Sequence, residues 1–204
     1  MKPICATAAC HTITADRTRD WGPSVGRLKP IATGIDRLNQ TLGSAVAWLT
    51  LIMVVVQFTI VVMRYVFGVG YIYMQESIVY MHGILFLLGA GFTLLHNGHV
   101  RVDLIYREAS VRRKALTDLL GSLLLLIPVM ILILWAAYPY VQISWSVLEG
   151  SKETSGIPGI YLLKTTILIF AGLMLLQGIS MAIHAALVLM GVEDAPAEEP
   201  QTAL

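Results

Sequence analysis

Four long apolar stretches separated by polar segments organise this chain. The first runs from Gly43 to Met63 without a charge. The second, Tyr71 to Leu95, is interrupted by Glu76 and His82. The third, Leu119 to Val147, is again uncharged, and the fourth, Tyr161 to Met190, has Lys164 near its start and His184 near its end. A helix needs about 20 apolar residues to cross a hydrocarbon core, so each stretch is long enough. Irregular backbone in lipid would leave its amides unpaired. Runs such as LLGSLLLLIPVMILIL lack the short alternating strands of a barrel. The expected fold is an all-α integral membrane protein with four transmembrane helices, at about 43–66, 71–96, 117–147 and 161–190, within a membrane domain of residues 30–190.

The connecting segments add detail. After Pro30, Ile31, Ile35, Leu38 and Leu42 fall at helical spacing, with Asp36, Arg37, Asn39 and Gln40 between them. This predicts a short amphipathic helix before span one, either lying on the membrane surface or extending the span. Val102, Ile105, Tyr106 and Ala109 form a similar face in the central segment, followed by Arg112, Arg113 and Lys114 at the level of lipid headgroups. Phe67-Gly68-Val69-Gly70 makes a tight turn between spans one and two. Residues 149–159, EGSKETSGIPG, form an exposed loop before span four. Trp135, Tyr138, Tyr140 and Trp145 mark a headgroup level in span three, where Pro128 and Pro139 are candidate kinks.

Composition agrees: 56% of the 204 residues are hydrophobic and 13% charged, against about 25% charged in a soluble domain. The cations are unevenly placed. Lys2, Arg17, Arg19, Arg27, Lys29 and Arg37 precede span one, and Arg101, Arg107, Arg112, Arg113 and Lys114 lie between spans two and three. Only Arg64, Lys152 and Lys164 fall on the other side. The positive-inside rule therefore puts both termini in the cytoplasm. Residues 1–29 read as a polar, disordered tail without a signal-peptide core, and 191–204 as an acidic tail. Cys5, Cys10 and His11 are too sparse to make a metal site, and no metal, cofactor or nucleic-acid partner is expected.

Ionisable groups inside a membrane are the first candidates for function. Glu76 is either a proton- or cation-binding carboxylate or one half of an ion pair with Arg64 across the hairpin. His82 is either hydrogen-bonded to a neighbouring helix or, with His96, His99 and His184, part of a haem site. Gly83, Gly89, Ala90 and Gly91 in span two, and Gly172 and Gly178 in span four, let helices approach closely. His99-Val100-Arg101-Val102-Asp103 forms a polar segment at the end of span two. There is no phosphate-binding loop, no nucleophile with its base and no metal-ligand cluster, so an enzyme is not expected.

The ordered set Arg64-Tyr65-Val66-Phe67, Glu76, Phe86-Leu87-Leu88-Gly89-Ala90, His99-Val100-Arg101-Val102-Asp103 and Ser155-Gly156-Ile157-Pro158-Gly159 resembles the small permease (Q) subunit of the tripartite ATP-independent periplasmic (TRAP) transporters. The resemblance covers about residues 30–190. It departs at Tyr73-Met74-Gln75, since many members carry a Trp just before the acidic residue of span two. The resemblance implies a subunit of the inner membrane of a Gram-negative bacterium. Its partners would be a large permease subunit, which carries the solute and sodium sites, and a periplasmic solute-binding protein. Dicarboxylates, sialic and other sugar acids, keto acids and ectoine-type solutes all fit the family. Arg64, Glu76, His82, His99, Arg101 and Asp103 become structural or subunit-interface residues. The chain lacks the Gly/Pro-broken helix pairs of midplane transport sites, which agrees with a bracing role. Two other classes remain: a haem-bearing membrane anchor of a redox complex, and a stand-alone proton-coupled exporter using Glu76.

Overall fold

The computed structural model describes residues 25–99 and 109–191, and side chains from residue 29 onward. Cys5, Cys10, His11, Arg101, Asp103, most of the central segment and the acidic tail lie outside the described residues.

Every regular element among them is helical. Helix α1 spans Val25–Tyr65, α2 Ile72–Leu95, α3 Val111–Gly121, α4 Ile127–Ser146 and α5 Ile160–Leu189, with a π-helical turn, Ser122–Leu126, joining α3 to α4. Four rods are long and apolar enough to cross a membrane: Lys29–Tyr65, Ile72–Leu95, Val111–Ser146 and Ile160–Leu189. Two of them are much longer than a crossing needs. At 1.5 Å per residue, α1 is roughly 60 Å long, about twice a hydrocarbon core.

Of the two forms expected for the segment before span one, the structure has the extension: residues 30–42 are part of α1. The burial there is mixed rather than split by polarity. Ile31 and Leu38 point outward at 55% and 44% exposure, as do Arg37 and Gln40, while Ala32, Asn39, Gly43 and Val46 are buried. Asp36 and Asn39 have partners on α5.

Pro30 lies in the second turn of α1 and Pro139 inside α4, and both helices run through their proline unbroken. Pro128 has a clearer effect. It has no N–H, and its ring crowds the carbonyl four residues back. The chain widens just before it: the amide of Ile127 donates to the carbonyl of Ser122, five residues back, and the buried Ser122 hydroxyl donates to Leu119 O at 3.0 Å.

Helix α5 is the centre of the molecule. It packs against α1 and α2 on one side and against α3, the π turn and α4 on the other, whereas α1 and α4 make no substantial contact. Its apolar window is 39% buried, against 6%, 6% and 11% for the other rods. A small core of Met130, Ala171 and Met174 lies at mid-bundle, covered by Ala90, Leu94, Leu126 and Phe170. Close approach explains some of the small residues. A Cβ on Gly178 would lie 2.7 Å from Leu126 of the π turn, whereas Gly89 and Gly172 face open space.

Candidate functional site

The described polar side chains that bond between elements gather at two places, one towards each end of the bundle.

The first is a buried cluster between α1 and α5. Asn39 Nδ2 donates to Gln177 Oε1 at 2.7 Å, and Gln177 Nε2 donates to Asp36 Oδ1 at 3.0 Å. Ser180 Oγ donates to the same oxygen at 2.7 Å, and His184 Nε2 faces Asp36 Oδ2 at 3.1 Å. Asn39, Gln177 and Ser180 are buried. Helical spacing makes the cluster: residues 36 and 39 lie one turn apart on α1, and 177, 180 and 184 share a face of α5. Asn39 Oδ1 accepts no hydrogen bond and abuts Gly91 of α2, where a Cβ would lie 2.5 Å away. The cluster lies roughly 40 Å along α1 from Tyr65. That distance takes it past the thickness of a hydrocarbon core, to a depth where polar groups are tolerated. It is a helix-to-helix lock.

The second place is at the opposite end, where the 147–159 connection folds over the start of α2. Glu76 accepts hydrogen bonds from the Ser151 hydroxyl and from the Ile157 amide, the latter at 2.5 Å. Gly156 passes so close that a Cβ there would meet both Ser151 and Glu76. Tyr80 donates to Ile157 O at 3.3 Å. Beside this, Glu149 accepts from Ser144 Oγ at 2.7 Å and from Lys164, whose ammonium also sits 4.0 Å from the centre of the Tyr140 ring. The Lys164 hydrogen bond, with help from Ser144, holds the Glu149 carboxyl below its ordinary range. Trp145 donates to Thr165 Oγ1 at 2.8 Å and meets the Tyr161 ring edge-on.

The Arg64–Glu76 ion pair is not formed. Glu76 turns to the loop, and Arg64 lies in a groove of about 280 Å³ between α1 and α2 with Gln57, Val61, Gln75 and Ile78. His82 is exposed on α2 and stacks on Phe86 at 6.4 Å. His99 is exposed just past the α2 C-cap. His96 Nδ1 stays on its own helix, 3.0 Å from Phe92 O. Among the described residues, no group of three or more His, Cys, Asp or Glu side chains is placed to hold a metal ion.

A family model described as "Tripartite ATP-independent periplasmic transporters, DctQ component" matches residues 53–188, two thirds of the chain. The chain belongs to the DctQ family. The DctQ match covers α2, the π turn and α4 entirely, and nearly all of α5, with the last turns of α1. A DctQ chain is a component of a transporter rather than a known enzyme, and the family implies a large permease and a solute-binding protein as its partners. Together with four apolar helices, it indicates a multi-pass inner-membrane protein. No curated protein and no solved structure matches the chain.

Sequence reasoning picks out Glu76 and offers Arg64 as one candidate partner, whereas the structure gives it Ser151 and Ile157; the Asp36 cluster is not foreseen. Helical spacing puts residues 36 and 39 on the polar side of the segment before span one, and nothing local links them to residues 177–184. The one available signal was the set of polar residues Gln177, Ser180 and His184 recurring on one face of an apolar span.

Proposed function

We propose that this DctQ chain is the small membrane subunit that braces the large permease of a TRAP transporter. The transporter would take up an organic acid or zwitterionic solute, driven by an ion gradient, most simply sodium, and delivered by a periplasmic binding protein. The family match carries this reading. The surface of the molecule supports it: three of the four rods leave at least 89% of their apolar windows uncovered by the chain itself. The distribution of lysine and arginine supports both termini lying in the cytoplasm, and the family match supports the inner membrane of a Gram-negative cell. The hairpin turn at 66–71 and the 147–159 connection then face the periplasm. There, residues 67–75 and 149–159 would form the surface offered to the binding protein.

Glu76 fastens the second of these segments to α2. Arg64 and His82 remain available to the large subunit, and His99, Arg101 and Asp103 would secure the cytoplasmic end of α2. The haem anchor and the stand-alone exporter have no support from the family match. Deleting this chain while retaining the permease and the binding protein should abolish solute uptake. Full gradient-driven uptake without it would overturn the proposal. Orientation is checked by labelling introduced cysteines in intact cells: Cys at 153 should react with an impermeant maleimide and Cys at 116 should not.

A further inference from the structure

The outward face of the α1–α2 hairpin carries a polar stripe unlike the rest of the exposed surface. Gln57, Val61 and Arg64 recur at helical spacing on α1, and Gln75, Ile78 and His82 do so on α2. Gln57, Arg64 and Gln75 line the same groove, and His82 continues the α2 row one turn beyond Ile78. These four polar side chains are exposed, and none is hydrogen-bonded or ion-paired to a described residue. Elsewhere the exposed span surface is mainly apolar, as at Leu124, Leu125, Ile131 and Leu132 on the π turn and α4, with only scattered polar residues such as Thr59 and Gln142.

Depth decides what covers the stripe. Arg64 is one residue from the end of α1 and can reach headgroups. Gln57 lies roughly 10 Å further along α1, and His82 roughly 15 Å from the start of α2. Those depths lie within the hydrocarbon, where a lipid phosphate cannot follow and acyl chains offer no hydrogen bonds. A second copy of this chain, related by an axis along the membrane normal, would offer Arg64 only the same stripe, whose Gln57, Val61, Gln75, Ile78 and His82 include no carboxylate to pair with it. That argues against self-association.

We infer that this stripe docks a transmembrane helix of the large permease subunit. That helix carries a carboxylate opposite Arg64 and a hydrogen-bonding side chain opposite His82. The inference rests on the small-subunit reading above and assigns its face. The experiment co-expresses the chain with its cognate large subunit and inserts a photo-crosslinking amino acid at single exposed positions. Crosslinks to the large subunit are expected from Val61, Val79 and Phe86, and none from Leu124 or Leu132. In parallel, Arg64→Ala/His82→Leu should cut large-subunit recovery about tenfold, with Arg64→Lys retaining most of it and Trp135→Leu all of it. Crosslinks from Leu124 and Leu132 alone would overturn the inference while leaving the small-subunit role intact. So would small-to-small crosslinks from the stripe. Loss of a co-purified anionic lipid from Arg64→Ala with large-subunit recovery unchanged would overturn it in favour of lipid. A wild-type chain that captures no large subunit at any position would overturn both readings.

Discussion

Glu76 shows how a single carboxylate can organise an end of a membrane protein. Its two oxygens gather the Ser151 hydroxyl and the Ile157 amide, so α2 and the loop before α5 are tied through one side chain. Hydrogen bonds to a charged group contribute about 1.5–3 kcal/mol. Glu76→Ala should therefore free the loop, seen as faster hydrogen exchange at the 151–157 amides and earlier proteolysis there. An unchanged exchange pattern would count against the tie. At the other end, Gly91→Ala would drive a methyl group into Asn39 Oδ1 at 2.5 Å. It should lower stability by about 1–3 kcal/mol, read as a lower melting temperature in detergent. Glu149 adds a pH dependence. Its folded-state carboxyl is held below the ordinary value of 4.5, so its contribution is complete at neutral pH and is lost as pH falls through the lowered value. The difference in melting temperature between wild type and Glu149→Gln should shrink on going from about pH 7 to about pH 3. A constant difference would refute the Lys164 coupling. The importance of Glu76 was legible from its cost in an apolar span. Its partner was not, because Ser151 and Ile157 lie in a loop whose path no periodicity encodes.

At the level of elements, apolar run length showed where the helices are, and Gly68, with φ of 70°, sits in the turn expected from FGVG. Which way each helix faces was less legible. In water the polar side of 30–42 would turn outward. Here Arg37 and Gln40 do so, but Asp36 and Asn39 turn inward, because Gln177, Ser180 and His184 offer them partners on α5. The π turn was likewise hidden: Pro128 announces a disturbance, but whether a helix kinks, breaks or widens depends on what packs there. Here Leu126 meets Gly178. A Gly178→Leu substitution should separate the π turn from α5 and destabilise the protein by about 1–3 kcal/mol or more, whereas Gly172→Leu, which points into open space, should be nearly silent. Equal effects in a thermal melt would contradict the packing described. Leu148 terminates α4 with φ of 45°, a conformation that costs a non-glycine residue about 1–2 kcal/mol. Leu148→Gly should therefore raise the melting temperature, and a lower one would show that the Leu148 side chain matters more than its backbone strain.

For the whole molecule, the organising fact is the position of α5. The first hairpin, α1–α2, and the second rod, α3–α4, meet chiefly by sharing it. Chain order gives this arrangement a consequence for biogenesis. The organising helix follows the other described helices, so the earlier rods enter the bilayer with their contacts to it unfilled, although α1 and α2 can already pack on each other. Asp36 and Asn39 then wait for partners more than a hundred residues away. During that interval the nascent chain is a hairpin beside an unjoined rod, open to membrane chaperones and proteases. Assembly becomes a single late event, set by the arrival of one segment.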